Sequence, residues 1–477
     1  MKQIQKKIFL KKYRINDLIC RCQILKLLTL FSLIIGLTSC SDFVEVEPPK
    51  NLLISETVFS DPATVESALA NIFYKIREQG SMVSGRSGMT TLMGIYSDEL
   101  DYYGFDTNSN ELFHHNVTAS NAVLLSWWNN AYNLIYATND IIGGVENSNA
   151  LNAENKARYK GQALFVRAYI HSLLTNLYGD IPYITSTNYS ENNSVARLPV
   201  AEVYEHVISD LTSAVDLLEN INVTGERVLP SQDTALALLS RIYLYVQNWE
   251  MAESTATQLI GKHSLEPNIS KVFLKESSET LWQLKPGDSP KNTHEANQFI
   301  IQAIPGQQFA LTDSLLDAFE PGDLRLNNWI GTASNIDGTV TLYFPYKYKA
   351  YITESQSLEY SIVFRLAEQY LIRAEARAHL ENISGAQNDL NRIRNRAGLS
   401  NTMANSMNDL LEAIIQERRV ELFAEHGQRW FDLKRTGNAG SILSLVKPNW
   451  QETDVLFPIP ESELEINPNL LPQNLGY

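Results

Sequence analysis

Cysteine is nearly missing. Of three in 477 residues, Cys20 and Cys22 fall in a leader and only Cys40 stands outside it. The rest of the chain therefore has no intrachain disulfide, thiolate metal site or cysteine nucleophile to draw on. Also absent is any apolar run of the roughly 20 residues that a membrane-crossing helix needs; LLTLFSLIIGLTSC, at Leu27 to Cys40, is too short. Positive charge is scarce. The formal net charge is −15, although the first 26 residues hold eight Lys/Arg against one acid. Nucleic acid and other polyanions are thus disfavoured partners. Catalytic signatures are missing too: there is no Gly-rich phosphate loop, no G-x-S-x-G elbow and no H-E-x-x-H.

What is present begins with an address. A basic segment, an apolar segment and small residues, in that order, read as a secretory signal over 1–39. Leu37-Thr38-Ser39-Cys40 resembles the bacterial lipobox, in which Cys40 becomes the lipidated first residue; the alternative is an ordinary export signal with a chance Cys. Residues 40–50 form the lipidation site and an acidic, Pro-containing tether that should stay extended. The remainder is long enough to bury a large core without disulfides. It divides into an N-terminal region at 51–230 and a C-terminal region at 231–477, expected to pack as one body.

Helical signals dominate. In SWWNNAYNLIYATNDII, Trp128, Tyr132, Ile135, Asn139 and Ile142 recur at steps of four and three, one face of a helix. NKARYKGQALFVRAYIHSLLTNLYG reads likewise and stops at Gly179, with Pro182 just beyond. A third helix runs from near Pro199 to near Asn220. Two later segments are self-similar: Ser240 precedes Ala252 by twelve, and Ala374 precedes Ala386 by the same interval. Small residues at that spacing across a tight turn let two helices cross closely, as in a tetratricopeptide hairpin. A further helix is expected over 408–433. The fold class is therefore mainly α, with several helical hairpins stacked as a scaffold.

The loops differ in character. Ser97 to Ser120 and Lys285 to Lys349 are rich in Asn, Gly, Asp, Thr and aromatics and lack sustained periodicity. Loops of that length in a compact protein are usually functional or disordered, and aromatic content argues against disorder. TVTLYFPYKYKA has the alternation of a small hairpin. Asp106-Thr-Asn108-Ser-Asn110 matches the first half of a calcium loop, but Glu111 and Val117 stand where Gly and Glu are needed. Glu375/His379 and His206/Asp210 have chelating spacing on helices with no third ligand in view, so surface pairing is the better reading and no metal or cofactor is expected. Asp98, Glu99, Asp101 and Asp106 lie beside Tyr102, Tyr103 and Phe105. Two of those acids could serve a glycosidase; equally, aromatic faces can stack on sugar rings while Asp and Asn bond the hydroxyls. Binding is favoured, because no acid in the cluster has an evident device to raise its pKa. No catalytic residue is assigned.

The densest charge lies in ERRVELFAEHGQRWFDLKRTG, Glu417 to Gly437. Its apolar residues continue the stripe Leu411, Ile414, Ile415 and Leu422, so Glu417, Arg418, Glu421, Arg429 and Asp432 read as an ionic lattice joining the last hairpin to the loop-rich half. His426 is left with no acid-base role.

FRLAEQYLIRAEARAHL, AQNDLNRIRNRAGL, IIQERRVELFAEHGQRWFDLKRTG and LFPIPESELEINPNLLPQNLGY, in this order after a lipobox and WWNNAYNLIYATNDII, resemble the RagB/SusD family of Bacteroidetes outer-membrane lipoproteins. The likeness covers essentially the whole chain after the signal; Leu475 departs from the Pro common in the family. It implies a mainly α body of about four tetratricopeptide-type hairpins packed against a loop-rich second half that has little β structure and carries the ligand site. It further implies a non-catalytic protein held to the outer membrane by lipid, its acidic stretch Ser41 to Glu47 directing it to the outer face. It also implies a partner, a SusC-like TonB-dependent transporter barrel, over which the protein sits as a hinged lid delivering glycans, or in some branches peptides. By position, the ligand residues expected are Tyr102, Tyr103, Phe105 and Asn108 in the first loop and Trp282, His294 and Trp329 in the second. Core packing is the stronger reading for Trp282, and a loop anchor competes with sugar stacking for Trp329.

Overall fold

Short polar side chains start most of the helices. The computed structural model describes residues 58–78, 85, 87–221, 225–287 and 291–477; the signal at 1–39, Cys40 and the tether to residue 50 lie outside them. In chain order come α1 (Pro62–Glu78), α2 (Met89–Tyr96), β1 (Leu100–Tyr102), α3 (Thr107–Phe113), α4 (Ala122–Asn147) and α5 (Ala153–Tyr178). Next are α6 (Val200–Leu217), α7 (Gln232–Tyr245), α8 (Trp249–Lys262), β2 (Thr280–Leu284), β3 (Phe309–Leu311), β4 (Ile330–Ser334), β5 (Thr341–Pro345) and β6 (Ser361–Arg365). The chain closes with α9 (Leu366–His379), α10 (Ile383–Arg396), α11 (Met407–Glu421) and α12 (Gln428–Arg435), with shorter helices between and after these. Asn121 caps α4 by accepting the Val123 and Leu124 N–H groups, Asn152 caps α5, and Ser231 and Thr234 form a reciprocal capping box on α7.

The helices stack in chain order, α4 on α5, α5 on α6, and so on through α10, with α9 and α10 both against α11. The fold is mainly α, as the periodicity indicates. Trp128, Ile135, Asn139 and Ile142 are buried along α4. Ser240, Ala252, Ala374 and Ala386 are fully buried where α7 meets α8 and α9 meets α10; a larger side chain at any of them would force the helices apart. Among the described residues the strands form three two-stranded antiparallel sheets, β1 with β3, β2 with β6 and β4 with β5. TVTLYFPYKYKA, read as a hairpin, supplies only the second strand of one: β5 pairs with β4 upstream of the run, Ile330 opposite Pro345. Among the described residues no helix is long and apolar enough to cross a membrane.

One expectation is corrected. The helix over 408–433 is two helices, because the chain leaves α11 after Glu421 and restarts at Gln428. Ala424, His426 and Gly427 take φ of 51°, 47° and 76°. A Cβ on Gly427 would approach the Met93 Cβ to 2.9 Å, so glycine permits both the turn and the contact with α2.

That turn throws the charges of the ERRVELFAEHGQRWFDLKRTG run into a buried network. Glu421 accepts from Arg325 at 2.9 Å, from Arg365 at 2.5 Å and from Arg396. Glu417 accepts from Arg325 at 2.7 Å. Glu425 binds Arg365 and Lys347, Arg418 binds Asp432, and Arg429 binds Asp98 at 2.7 Å. Arg325, Lys347 and Arg365 come from the second half and Asp98 from the first loop, so the lattice ties α11 and α12 to both loops. Every side chain named is nearly or fully buried. His426 sits inside as well, its ring nitrogen 2.8 Å from the Ile362 carbonyl oxygen.

Candidate ligand-binding face

Two loops are joined by three residue pairs whose partners lie more than 200 residues apart in sequence. Leu100, Asp101 and Tyr102 of β1 stand opposite Leu311, Ala310 and Phe309 of β3. The pairing is fixed from behind: Thr312 donates its hydroxyl to the Asp98 carbonyl at 2.7 Å and its N–H to the Glu99 carbonyl at 3.1 Å. The Asp98 carboxylate takes Arg429 and Arg419, which hold it below the usual carboxylate range despite its burial. The lattice thus positions β1, and β1 positions the turn that leads into α3.

After Tyr102 the chain turns back over its own ring. A Cβ on Gly104 would lie 2.4 Å from the Tyr102 hydroxyl, so only glycine fits. That hydroxyl accepts the Asp106 N–H at 3.2 Å, and Asp106 caps α3 by accepting the Ser109 N–H at 2.8 Å. The calcium-like Asp106-Thr-Asn108-Ser-Asn110 run is therefore a helix start. The turn leaves Phe105 97% exposed at its apex and Tyr103 39% exposed, with the Tyr103 N–H donated to the Gln308 carbonyl at 2.9 Å. Burial, then the Asp101 and Asp313 charges, raise the Tyr103 phenol pKa. Asn108, on α3, is half-exposed and accepts the Ala122 N–H at 2.9 Å. With Ser87, Asp106, Ser109, Val123 and Ser126 it lines a polar cleft of about 350 Å³.

Of the expected ligand residues, Tyr103, Phe105 and Asn108 gather at this surface. Tyr102 is 8% exposed and supports the turn from beneath. His294 is placed elsewhere, on Glu78 of α1 at 2.8 Å, with burial and the Arg77 guanidinium lowering its pKa. Both tryptophans leave the expected ligand set: the core-packing reading of Trp282 holds, and the sugar-stacking reading of Trp329 is corrected. Trp282 is fully buried in β2 among Phe165, Tyr169 and Phe364, its indole N–H donated to the Val228 carbonyl. Trp329 is 1% exposed; it donates to the Ile269 carbonyl at 3.0 Å and packs on Phe273 and the Lys347 ammonium. Neither ring offers a face to a ligand, because each satisfies its N–H on buried backbone and fills core volume. Trp329→Ala is expected to lower the unfolding free energy by about 3–5 kcal/mol, measured by denaturant unfolding, while ligand affinity per folded molecule holds. Asp313 and the exposed Tyr343 of β5, the strand packed beside β3, were missed; the only trace of Asp313 is the Thr-Asp start of a short helix.

The acidic cluster is also revised. Glu99 does have a device that raises its pKa: burial first, then the neighbouring Asp98 charge, push it up to about 8. Its carboxyl is 1% exposed and accepts the Ala424 N–H, so it reaches the interior and no substrate. Because the folded pKa lies above the unfolded one, the folded state binds the extra proton, and stability falls as pH rises from about 4.5 to about 8. Glu99→Gln should therefore melt above the wild type at pH 8 and with it at pH 4. The chelating spacings resolve as pairs: Asp210 binds Arg167, Glu375 binds Arg435, His379 stacks on Trp249 at 3.9 Å and His206 on Tyr183 at 4.9 Å.

The chain is thus a stack of helical hairpins that presents an aromatic, loop-built face. A SusD-like family model, described as starch-binding and associating with outer membrane, matches residues 42–244, and the SusD family model matches 306–477. The chain belongs to the RagB/SusD family. A SusD-like protein of Formosa agariphila is 28% identical over 94% of this chain and 99% of its own. The crystal structure of a SusD superfamily protein from Bacteroides vulgatus superposes with a TM-score of 0.76 at 21% identity, covering 88% of this chain and 100% of that one. A laminarin-binding SusD-like protein superposes at 0.75 with 23% identity, covering 87% and 99%.

Proposed function

We propose that this chain is a cell-surface lipoprotein that captures glycans and delivers them, uncleaved, to a SusC-like TonB-dependent transporter barrel. One observation carries the reading: Phe105 and Tyr103 are held out to solvent by a turn whose root is locked into a buried ionic lattice. Exposing a phenylalanine ring is unfavourable unless something covers it, and a rigid aromatic face beside amides and carboxylates suits a sugar ring and its hydroxyls. A fold relative that binds laminarin supports carbohydrate as the ligand class.

Cys40 is the attachment point in this reading. One acyl chain anchors only marginally, so multiple acylation and contacts with the barrel hold the protein at the surface. The tether keeps the lid at high effective concentration near the barrel. A ligand that touches both favours closure by its differential affinity for the closed state. The test is calorimetry of the full chain in detergent against polysaccharides and peptides, with product analysis on the same samples. Glycan binding without new reducing ends is expected; a peptide as the only ligand, or cleaved glycan, contradicts the proposal.

A further inference from the structure

Along α4, Ala122, Ser126, Asn129, Asn133, Tyr136 and Asp140 are all exposed and recur at steps of three and four. They form one stripe down the solvent side of the helix. Ala122 and Ser126 border the cleft that holds Asp106 and Asn108. Farther along, Asn129, Asn133 and Tyr136 help line a second cleft, of about 260 Å³, which Tyr189, Asn193 and Glu463 complete. From Ala122 to Tyr136 the helix rises about 20 Å.

The second cleft has the equipment of a sugar site. Tyr136 is 51% exposed and Tyr189 74%, so both rings present a face. The Asn129, Asn133 and Asn193 amides bond no other group among the described residues. Beneath them Trp128 and Tyr132 pack at 4.9 Å, with the Tyr132 hydroxyl donated to the Pro182 carbonyl at 3.0 Å. Glu463 is half-buried at the rim of the same cleft. Free amides and a carboxylate can take hydroxyls while the tyrosines take the apolar faces of the rings.

We infer that this cleft holds a further stretch of the same oligosaccharide, so that a long glycan runs along α4 from the Phe105–Asn108 face to Tyr136 and Tyr189. This second stretch rests on the glycan reading of the first face. It makes the protein a reader of chain length as well as of sugar type, since only a chain of several residues reaches both ends of the stripe.

Oligosaccharide ladders prepared from laminarin, amylose, xylan and pectin, titrated into the full chain in detergent, test this. In a ladder that binds, affinity should rise a second time, by about tenfold, once the oligomers span both clefts. Tyr136→Ala/Tyr189→Ala should abolish that second rise and keep the affinity for short oligomers, whereas Tyr103→Ala/Phe105→Ala should weaken every length. Both tyrosines are exposed, so melting temperatures should be unchanged. The inference is overturned if the Tyr136/Tyr189 variant binds the longest oligomers as tightly as the wild type, or if it loses short and long oligomers alike. Failure of all four ladders to bind the wild type is a different result: it contradicts the glycan reading itself, and the second cleft with it.

Discussion

Glu421→Ala is expected to lower the unfolding free energy by about 3–5 kcal/mol, the largest stability effect of any single change at the lattice. The carboxylate is fully buried and shared by Arg325, Arg365 and Arg396. These guanidiniums hold it far below the usual carboxylate range against its own burial. Truncation leaves three buried cations short of a partner, which costs more than the lost attraction. Because the folded pKa is depressed, this stabilisation is complete above the unfolded value near 4.5 and is lost progressively as the pH falls from there through the folded value. Denaturant unfolding of wild type and variant at pH 7 checks the magnitude. Ligand affinity per folded molecule should hold, since Glu421 lies wholly in the interior. Equal stability of the two proteins would remove the lattice as the element that positions the binding face.

Local signals carried the helices far. Asn and Ser caps, the stop at Gly179 and the four-and-three spacing in α4 are all physical causes written within a few residues of their effects. The small residues at 240, 252, 374 and 386 identified the close crossings for the same reason. The candidate face was legible only by half. Phe105 and Tyr103 stood out as aromatics in a polar loop, but β1 and β3 are three residues each, too short for periodicity, and nothing near Tyr102 announces Phe309. Trp329 misled because its neighbours Asn327 and Asn328 are polar; they end a short helix whose last residue turns inward. Glu99 misled because a raised pKa needs burial, and its neighbours there are Ala424 and Thr312, both more than 200 residues away in sequence. The break at Gly427 hid inside an apolar stripe that runs on through both helices.

The second large effect concerns the ligand. Tyr103→Ala/Phe105→Ala should weaken glycan binding by about 10- to 100-fold, because it removes both ring faces while leaving the turn intact. Gly104, the Tyr102 hydroxyl and the Asp106 cap all remain. Both side chains are exposed, so the variant should melt with the wild type. That separates it from Trp329→Ala, which should destabilise the protein and spare the affinity.

The most direct measurement is therefore a calorimetric titration of the wild type and of Tyr103→Ala/Phe105→Ala with the polysaccharide that binds best, with the recovered glycan sized afterwards. The expected result is tight binding of an uncleaved glycan by the wild type and a loss of about 10- to 100-fold in the variant at unchanged melting temperature. Equal affinity in the two proteins, or a shortened glycan after incubation with the wild type, would contradict a non-catalytic glycan receptor built on this face.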